Sequence, residues 1–497
     1  MWEREANKVN FSLFYLSPEL ILALGGIAAL FVGLASKSRK GFPWPEVFCL
    51  LVLAAALVPT IAMLTMGRVT SGTSIFGGIF AVDGLAMFFK IVALISTGIV
   101  TLISTDFFRR IRFHRGEYYA LLIFATLAIT TLAASADLIM IYLTLEFLSL
   151  TSYILAGYLK QDTKSNEAAV KYFLYGSIAS AVMIYGMSLI YGLTGTTNIV
   201  EIASTFKVNP ASYPLLYLAV VMLLAGFGYK IAMVPFHQWS PDVYEGAPTP
   251  VTAFLSVGSK AAGFAVLIRV FATGISTAIL DWAGLIMVLS AVTMTVGNLV
   301  AIPQTNIKRM LAYSSIGQAG YLLLGVAAMA YSSIALPSVL LYIFAYTFTN
   351  LGAFAVVSMI STRIKSDYIR DYAGLIRRAP AAAVAMVFFM LSLAGIPPTA
   401  GFLGKFYIFA AAIQSGNSWL LALTIVAIIN TIISVYYYMN VVRYMFFVKA
   451  KRIEPIEQPG IMNFVIGMTF AMTIIILVYA GPFISMAHIS SGMFKGI

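Results

Sequence analysis

One glutamate and three lysines stand inside apolar stretches of this sequence. They are Glu146 in IYLTLEFLSLTSYIL, Lys230 in LLAGFGYKIAMVPF, Lys260 in AFLSVGSKAAGFAV and Lys405 in AGIPPTAGFLGKFYIF. If these stretches cross a bilayer, a charge at mid-depth costs roughly 2.5–3.5 kcal/mol. A residue retained against that cost has a partner or a task. A glutamate facing a lysine in such surroundings suits proton transfer. Burial penalises the charged form of each and an opposite charge restores it, so opening or closing the pair moves a proton. One pKa unit is about 1.4 kcal/mol, and moving a unit charge through 100 mV takes about 2.3 kcal/mol. Switching a buried pair therefore does work on the scale of a membrane potential.

The expected pair is Glu146 with Lys230. Lys260 is too deep in its run to snorkel to an interface. Lys171 and His237 are secondary relay candidates, and Lys90 reads as a snorkelling anchor. The polar side chains Gln318, Tyr342, Tyr346, Asn350 and Tyr436 could line a hydrated path.

Positioning these groups requires membrane-spanning helices. The chain has 497 residues, 61% of them hydrophobic and only 10% charged, against about 25% charged in a soluble domain. Apolar runs recur from end to end, and about twenty residues of helix cross the hydrocarbon core. The runs read as about fourteen transmembrane helices in an all-α integral membrane fold. The predicted spans are 17–36, 46–66, 83–104, 118–134, 136–158, 168–193, 213–234, 250–271, 282–302, 311–331, 335–360, 380–414, 417–447 and 461–484. Nothing resembles an appended soluble domain, so residues 1–497 form one polytopic membrane domain. The lone cysteine, Cys49, lies in an apolar run; one thiol cannot supply a Cys₄ cluster site or a zinc site.

The charges orient these spans. Of 31 lysines and arginines, nineteen lie in loops after odd-numbered helices, from Lys37 to Arg452. Loops after even-numbered helices hold only Arg68, Lys207 and Arg269. The positive-inside rule places the odd loops in the cytoplasm and both termini on the periplasmic, outer side. The net charge of +12 thus orients a membrane protein and is no nucleic-acid footprint. The seventh loop, His237–Pro248 (HQWSPDVYEGAP), is an exception, lying on the odd side without a lysine or arginine.

Two relay helices carry prolines: Pro235 follows Lys230 by five residues, and Pro397–Pro398 precede Lys405. A proline removes a backbone donor, and broken spans are tolerated where the freed groups face a cavity. Breaks at matching places in two halves point to an inverted-repeat core. These lie 162 residues apart (235 to 397), which predicts two five-helix repeats, helices 4–8 (118–271) and 9–13 (282–447), flanked by helices 1–3 (1–117) and helix 14 (461–484).

At these residues the chain resembles a known family. The stretch KIAMVPFHQWSPDVYEGAPTPVTAFLSVGSKAAGF (Lys230–Phe264) closely resembles the subunit N family of proton-pumping NADH-quinone oxidoreductase, respiratory complex I. So do EFLSLTSYILAGYLKQDTKSNEAAVKY (Glu146–Tyr172) and LAGIPPTAGFLGKF (Leu393–Phe406). The resemblance covers essentially the whole chain. It implies an antiporter-like fold with inverted repeats and discontinuous helices 7 and 12. By position it implies a fifth- and seventh-helix pair at Glu146 and Lys230, a central eighth-helix lysine at Lys260, and a twelfth-helix lysine at Lys405. Lys405 favours subunit N over its sister M, which usually has glutamate there.

The resemblance further implies a proton-translocating, non-redox subunit in a bacterial inner membrane. Subunits M, K, J and A are the expected neighbours, and NADH, FMN, iron–sulfur clusters and quinone belong to partner subunits. Alternatives are an Mrp-type cation/proton antiporter subunit, or subunit N of an F420H2- or ferredoxin-linked relative.

Overall fold

With no water in the hydrocarbon region to take backbone hydrogen bonds, an apolar chain of this kind must close its own amides in helices. The computed structural model describes residues 13–36, 43–65, 73–111, 116–208, 213–275, 282–450 and 454–492. Among these, thirteen helices are long and apolar enough to cross a membrane, and two shorter apolar helices, Pro380–Ala394 and Ala400–Gln414, make one further crossing. The count of fourteen is borne out. The third span is Gly84–Ile111 and the sixth Thr163–Thr194, both longer than predicted. Their extra turns carry Arg109, Arg110, Lys164 and Glu167, which ended the apolar runs but not the helices.

The eighth span, Thr249–Gly274, and the eleventh, Ala335–Ile364, are buried along their whole apolar windows. They form the centre. The second span (Trp44–Thr65), the thirteenth (Ser418–Phe447) and the fourteenth (Gly460–Val478) are peripheral and mostly face outward. A two-stranded hairpin, Thr73–Ile75 with Phe80–Val82, covers the start of the third span.

The seventh and twelfth spans are both discontinuous. The seventh runs as Tyr213–Ile231, breaks, and resumes as a short helix, Trp239–Gly246, so most of the predicted seventh loop is helical. The twelfth breaks between Ala394 and Ala400. Ala232 (φ 57°) and Gly395 (φ 82°) each take the left-handed conformation just after the helix stops, and Pro235 and Pro398 each follow three residues later.

A second internal match marks the repeats. Asp137 caps the fifth span (Leu138–Ala156) by accepting from the amides of Ile139 and Met140, and bridges to Asn198. Asn306 caps the tenth span (Ile307–Ala328) through Lys308 and Arg309, and bridges to Tyr368. One cap follows an even span and the other an odd one, so the matching helix starts lie on opposite membrane faces. That is the signature of inversion.

Candidate functional site

Lys230 ends the first part of the seventh span, where the helix dipole favours a cation. It is fully buried, and its Nζ donates to Ser149 Oγ at 3.2 Å. Ser149 lies one turn along the fifth span from Glu146. The expected contact between Lys230 and Glu146 is not made: no ion pair within 4 Å joins them, and Glu146 instead accepts a short hydrogen bond from Ser180 Oγ of the sixth span. Lys230 thus bonds a serine one turn from Glu146, and Glu146 bonds a serine of the sixth span.

Lys230 reaches the eighth span because Gly263 leaves room for it. A Cβ there would stand 3.3 Å from Lys230 Cβ and 2.6 Å from an Ile231 methyl. Gly263 is one turn from Lys260. Packed around the neighbours of these lysines are Tyr172, Ser240, Tyr244 and Ser259, buried hydroxyls that meet no partner with good hydrogen-bond geometry. Tyr172 faces Ser259, and Tyr244 faces Ser240 and Ser315. Buried hydroxyls left in this way are sites for water.

Lys260 follows a π-helical turn, Leu255–Ser259, a feature frequent at functional sites. Its ammonium donates to the Ser315 carbonyl at 2.8 Å and to Ser315 Oγ at 2.6 Å. Ser315 Oγ also accepts from Tyr346 at 2.9 Å. One turn further along the tenth span, Gln318 accepts a short hydrogen bond from Tyr342 and donates to the Leu393 carbonyl at 2.8 Å and to Tyr438 at 3.1 Å. Lys260, Ser315, Gln318 and Tyr346 line a cavity of about 10 Å³, close to the least space that holds one water.

Lys405 closes the row. The break in the twelfth span leaves helix-end carbonyls without partners, and Lys405 Nζ takes two of them, Leu393 at 3.1 Å and Ala394 at 3.3 Å. Gln318 and Lys405 therefore donate to the same carbonyl. The ammonium also lies 4.1 Å above the Tyr321 ring, a cation–π contact. Gly395 must be glycine on two counts: its φ is positive, and a Cβ would stand 2.8 Å from Lys405 Cδ.

The structure thus places Lys260 and Lys405 on either side of the small cavity lined by Ser315 and Gln318, and bonds Lys230 to Ser149, one turn from Glu146. Of the polar side chains expected to line a path, Tyr346 bonds Ser315 and Tyr342 bonds Gln318, next to Lys260 and Lys405. Asn350 joins the eleventh span to the eighth through Ser256 at 2.6 Å, to the side of the row. Tyr436 is 64% exposed and lies off it; Tyr438, two residues on, points inward in its place. Ser149, Ser315 and Tyr438 were missed. Ser149 was within reach of helical spacing from Glu146, but the others need the packed helices.

Lys171 and His237 lie outside the buried row. Lys171 pairs with Glu167 and Asp242, each at 2.7 Å, on a partly exposed surface. His237 sits half-buried in the seventh-span break and makes no hydrogen bond to a relay residue. Lys90 is no snorkelling anchor. It is buried and pairs with Glu19 of the first span (Ser17–Ala35) at 2.8 Å, because the third span is covered on all sides.

Comparisons with known proteins bear on the family and the fold. A family model described as NADH:quinone oxidoreductase/Mrp antiporter, transmembrane, matches residues 135–432. NADH-quinone oxidoreductase subunit N of Desulforamulus reducens is 45% identical, over 98% of this chain and 99% of that protein. A chain in the structure of Thermus thermophilus respiratory complex I with bound aureothin superposes with a TM-score of 0.79 at 31% identity, covering 94% of this chain and 98% of that one. A chain of the Mrp complex from Dietzia superposes with a TM-score of 0.82, covering 97% of this chain and 98% of that one, but at 20% identity. That last likeness is one of fold.

Proposed function

The chain belongs to the NADH-quinone oxidoreductase subunit N family and is a multi-pass membrane protein, and from that premise we propose that Glu146, Lys230, Lys260 and Lys405 form its proton-translocating row. The observation that carries this reading is two hydrogen-bonded groups on either side of one small cavity: Lys260 on Ser315, and Gln318 with Lys405 on the Leu393 carbonyl, with Ser315 and Gln318 both lining the cavity. Buried cations are costly unless they work, and here each of two is held by polar groups next to the same side chain, Gln318. A lysine giving up its proton leaves an amine that can accept one from the next donor. The protein's contribution is to hold those amines at spacing that one side chain or one water can bridge.

In this reading the chain does no redox chemistry. NADH, FMN, iron–sulfur clusters and quinone belong to partner subunits, and one cysteine could not ligate a Cys₄ cluster. The membrane neighbours are subunits of the M, K, J and A types. The site is a bacterial inner membrane, with odd loops cytoplasmic and both termini outside.

The test is quinone-linked proton pumping by the whole complex in liposomes. Lys260→Ala and Lys405→Ala should each assemble and each lose this chain's share of pumping. Full pumping by an assembled Lys260→Ala complex would remove the row from the mechanism.

A further inference from the structure

The short helix Trp239–Gly246 joins two sets of residues. On one side Asp242 Oδ2 accepts from Lys171 Nζ of the sixth span at 2.7 Å, and Oδ1 accepts from Arg309 Nη1 of the tenth at 2.6 Å. Arg309 also reaches Glu245 at 3.3 Å, and Glu245 faces Lys164 at 3.7 Å. One carboxylate therefore bridges the first repeat to the second. On the other side, Trp239 stacks on Tyr172 with ring centroids 4.4 Å apart and donates its indole N–H to the Tyr229 carbonyl at 2.9 Å. Tyr244 faces Ser315, the residue that holds Lys260. The same eight-residue helix thus carries surface charges outward and, inward, the aromatic rings that pack against Tyr229 beside Lys230 and Ser315 beside Lys260.

The internal repeat gives Asp242 a second meaning. The left-handed residues recur 163 positions apart (232 and 395), and so do the prolines at 235 and 398. In that register Asp242 occupies the place of Lys405. We propose that Asp242 is a positioning residue, the first repeat's counterpart of Lys405, which latches the short helix to both repeats and thereby keeps Trp239 seated on Tyr229 beside Lys230 and Tyr244 on Ser315 beside Lys260. The inference rests on the relay reading above. It also explains why the seventh loop has no lysine or arginine, since cations from its neighbours converge on it. Asp242 carries no proton along the row; it fixes the wall past which protons move.

The experiment compares Asp242→Asn, Asp242→Glu and Arg309→Gln in the intact complex, with Lys260→Ala alongside. Two quantities are read: protons pumped per quinone reduced, and amide hydrogen exchange across 239–246. Asp242→Asn should speed exchange of that segment by about tenfold, as expected for a local opening made easier, and lower the pumping ratio with quinone reduction continuing. Asp242→Glu should restore both in large part. If Asp242→Asn does not assemble, Arg309→Gln, which leaves the Lys171 pair, should show the same two changes in smaller measure. Parental exchange and parental pumping in assembled Asp242→Asn would overturn the latch, as would exchange that speeds with no change in pumping. A Lys260→Ala complex that pumps normally would instead overturn the relay itself.

Discussion

Gln318 is the side chain on which the path between Lys260 and Lys405 depends. It sits one turn from Ser315, accepts from Tyr342 and donates to the carbonyl that Lys405 also uses. Gln318→Leu keeps the volume and removes both functions. It leaves the buried Tyr342 hydroxyl without its acceptor, a cost of about 1–3 kcal/mol. Proton transport should slow by roughly tenfold, the effect of about 1.4 kcal/mol on a barrier, in a complex that still assembles; an unchanged pumping rate would show that protons go elsewhere. The four relay residues were legible in the sequence because each is a charge in an apolar run. Their partners were not, because Ser315 and Tyr438 are ordinary helix residues until the tenth and thirteenth spans face the eighth and twelfth. The direct Glu146–Lys230 contact was expected from charge alone, and Ser149 and Ser180 take its place.

At the level of helices, the far end of the eighth span is held by charge. Arg269 is buried and donates to both carboxylate oxygens of Asp83, at 2.6 and 2.9 Å, and to the Ala133 carbonyl at 2.9 Å. This ties the eighth span to the start of the third and the end of the fourth (Gly116–Ala134). Burial pushes the Asp83 carboxyl up, but Arg269 outweighs it and holds the group below the ordinary range. A carboxylate held low contributes stability that is complete above its unfolded value near 3.9. That contribution is lost only as pH falls through the folded value. Asp83→Asn strands a buried guanidinium and should destabilise by about 3–5 kcal/mol, read as a lower unfolding temperature in detergent at neutral pH. Parent and variant should converge in strong acid. An equal unfolding temperature at neutral pH would mean that Arg269 finds another partner. Span number and order were legible, since apolar length and loop charge alternate together. Span ends were not, because polar turns such as Thr163–Glu167 extend helices past the apolar limit.

For the molecule as a whole, the sequence pointed to two inverted repeats through two proline breaks. The structure adds the matching caps at Asp137 and Asn306 on opposite faces. The short helix Trp239–Gly246 was read as loop, since eight residues with Pro241 and Gly246 carry turn signals and only the packed neighbours make it helical. The account's central claim is that the buried residues act as one row. Residues acting as a unit are not additive: removing two costs about what removing one does. The most direct test is therefore the number of protons pumped per quinone reduced by Lys260→Ala, Lys405→Ala and the double variant in reconstituted complex. One row predicts that the double variant loses no more than either single variant. A double variant that loses the sum of two partial single losses would mean two independent routes and would contradict it.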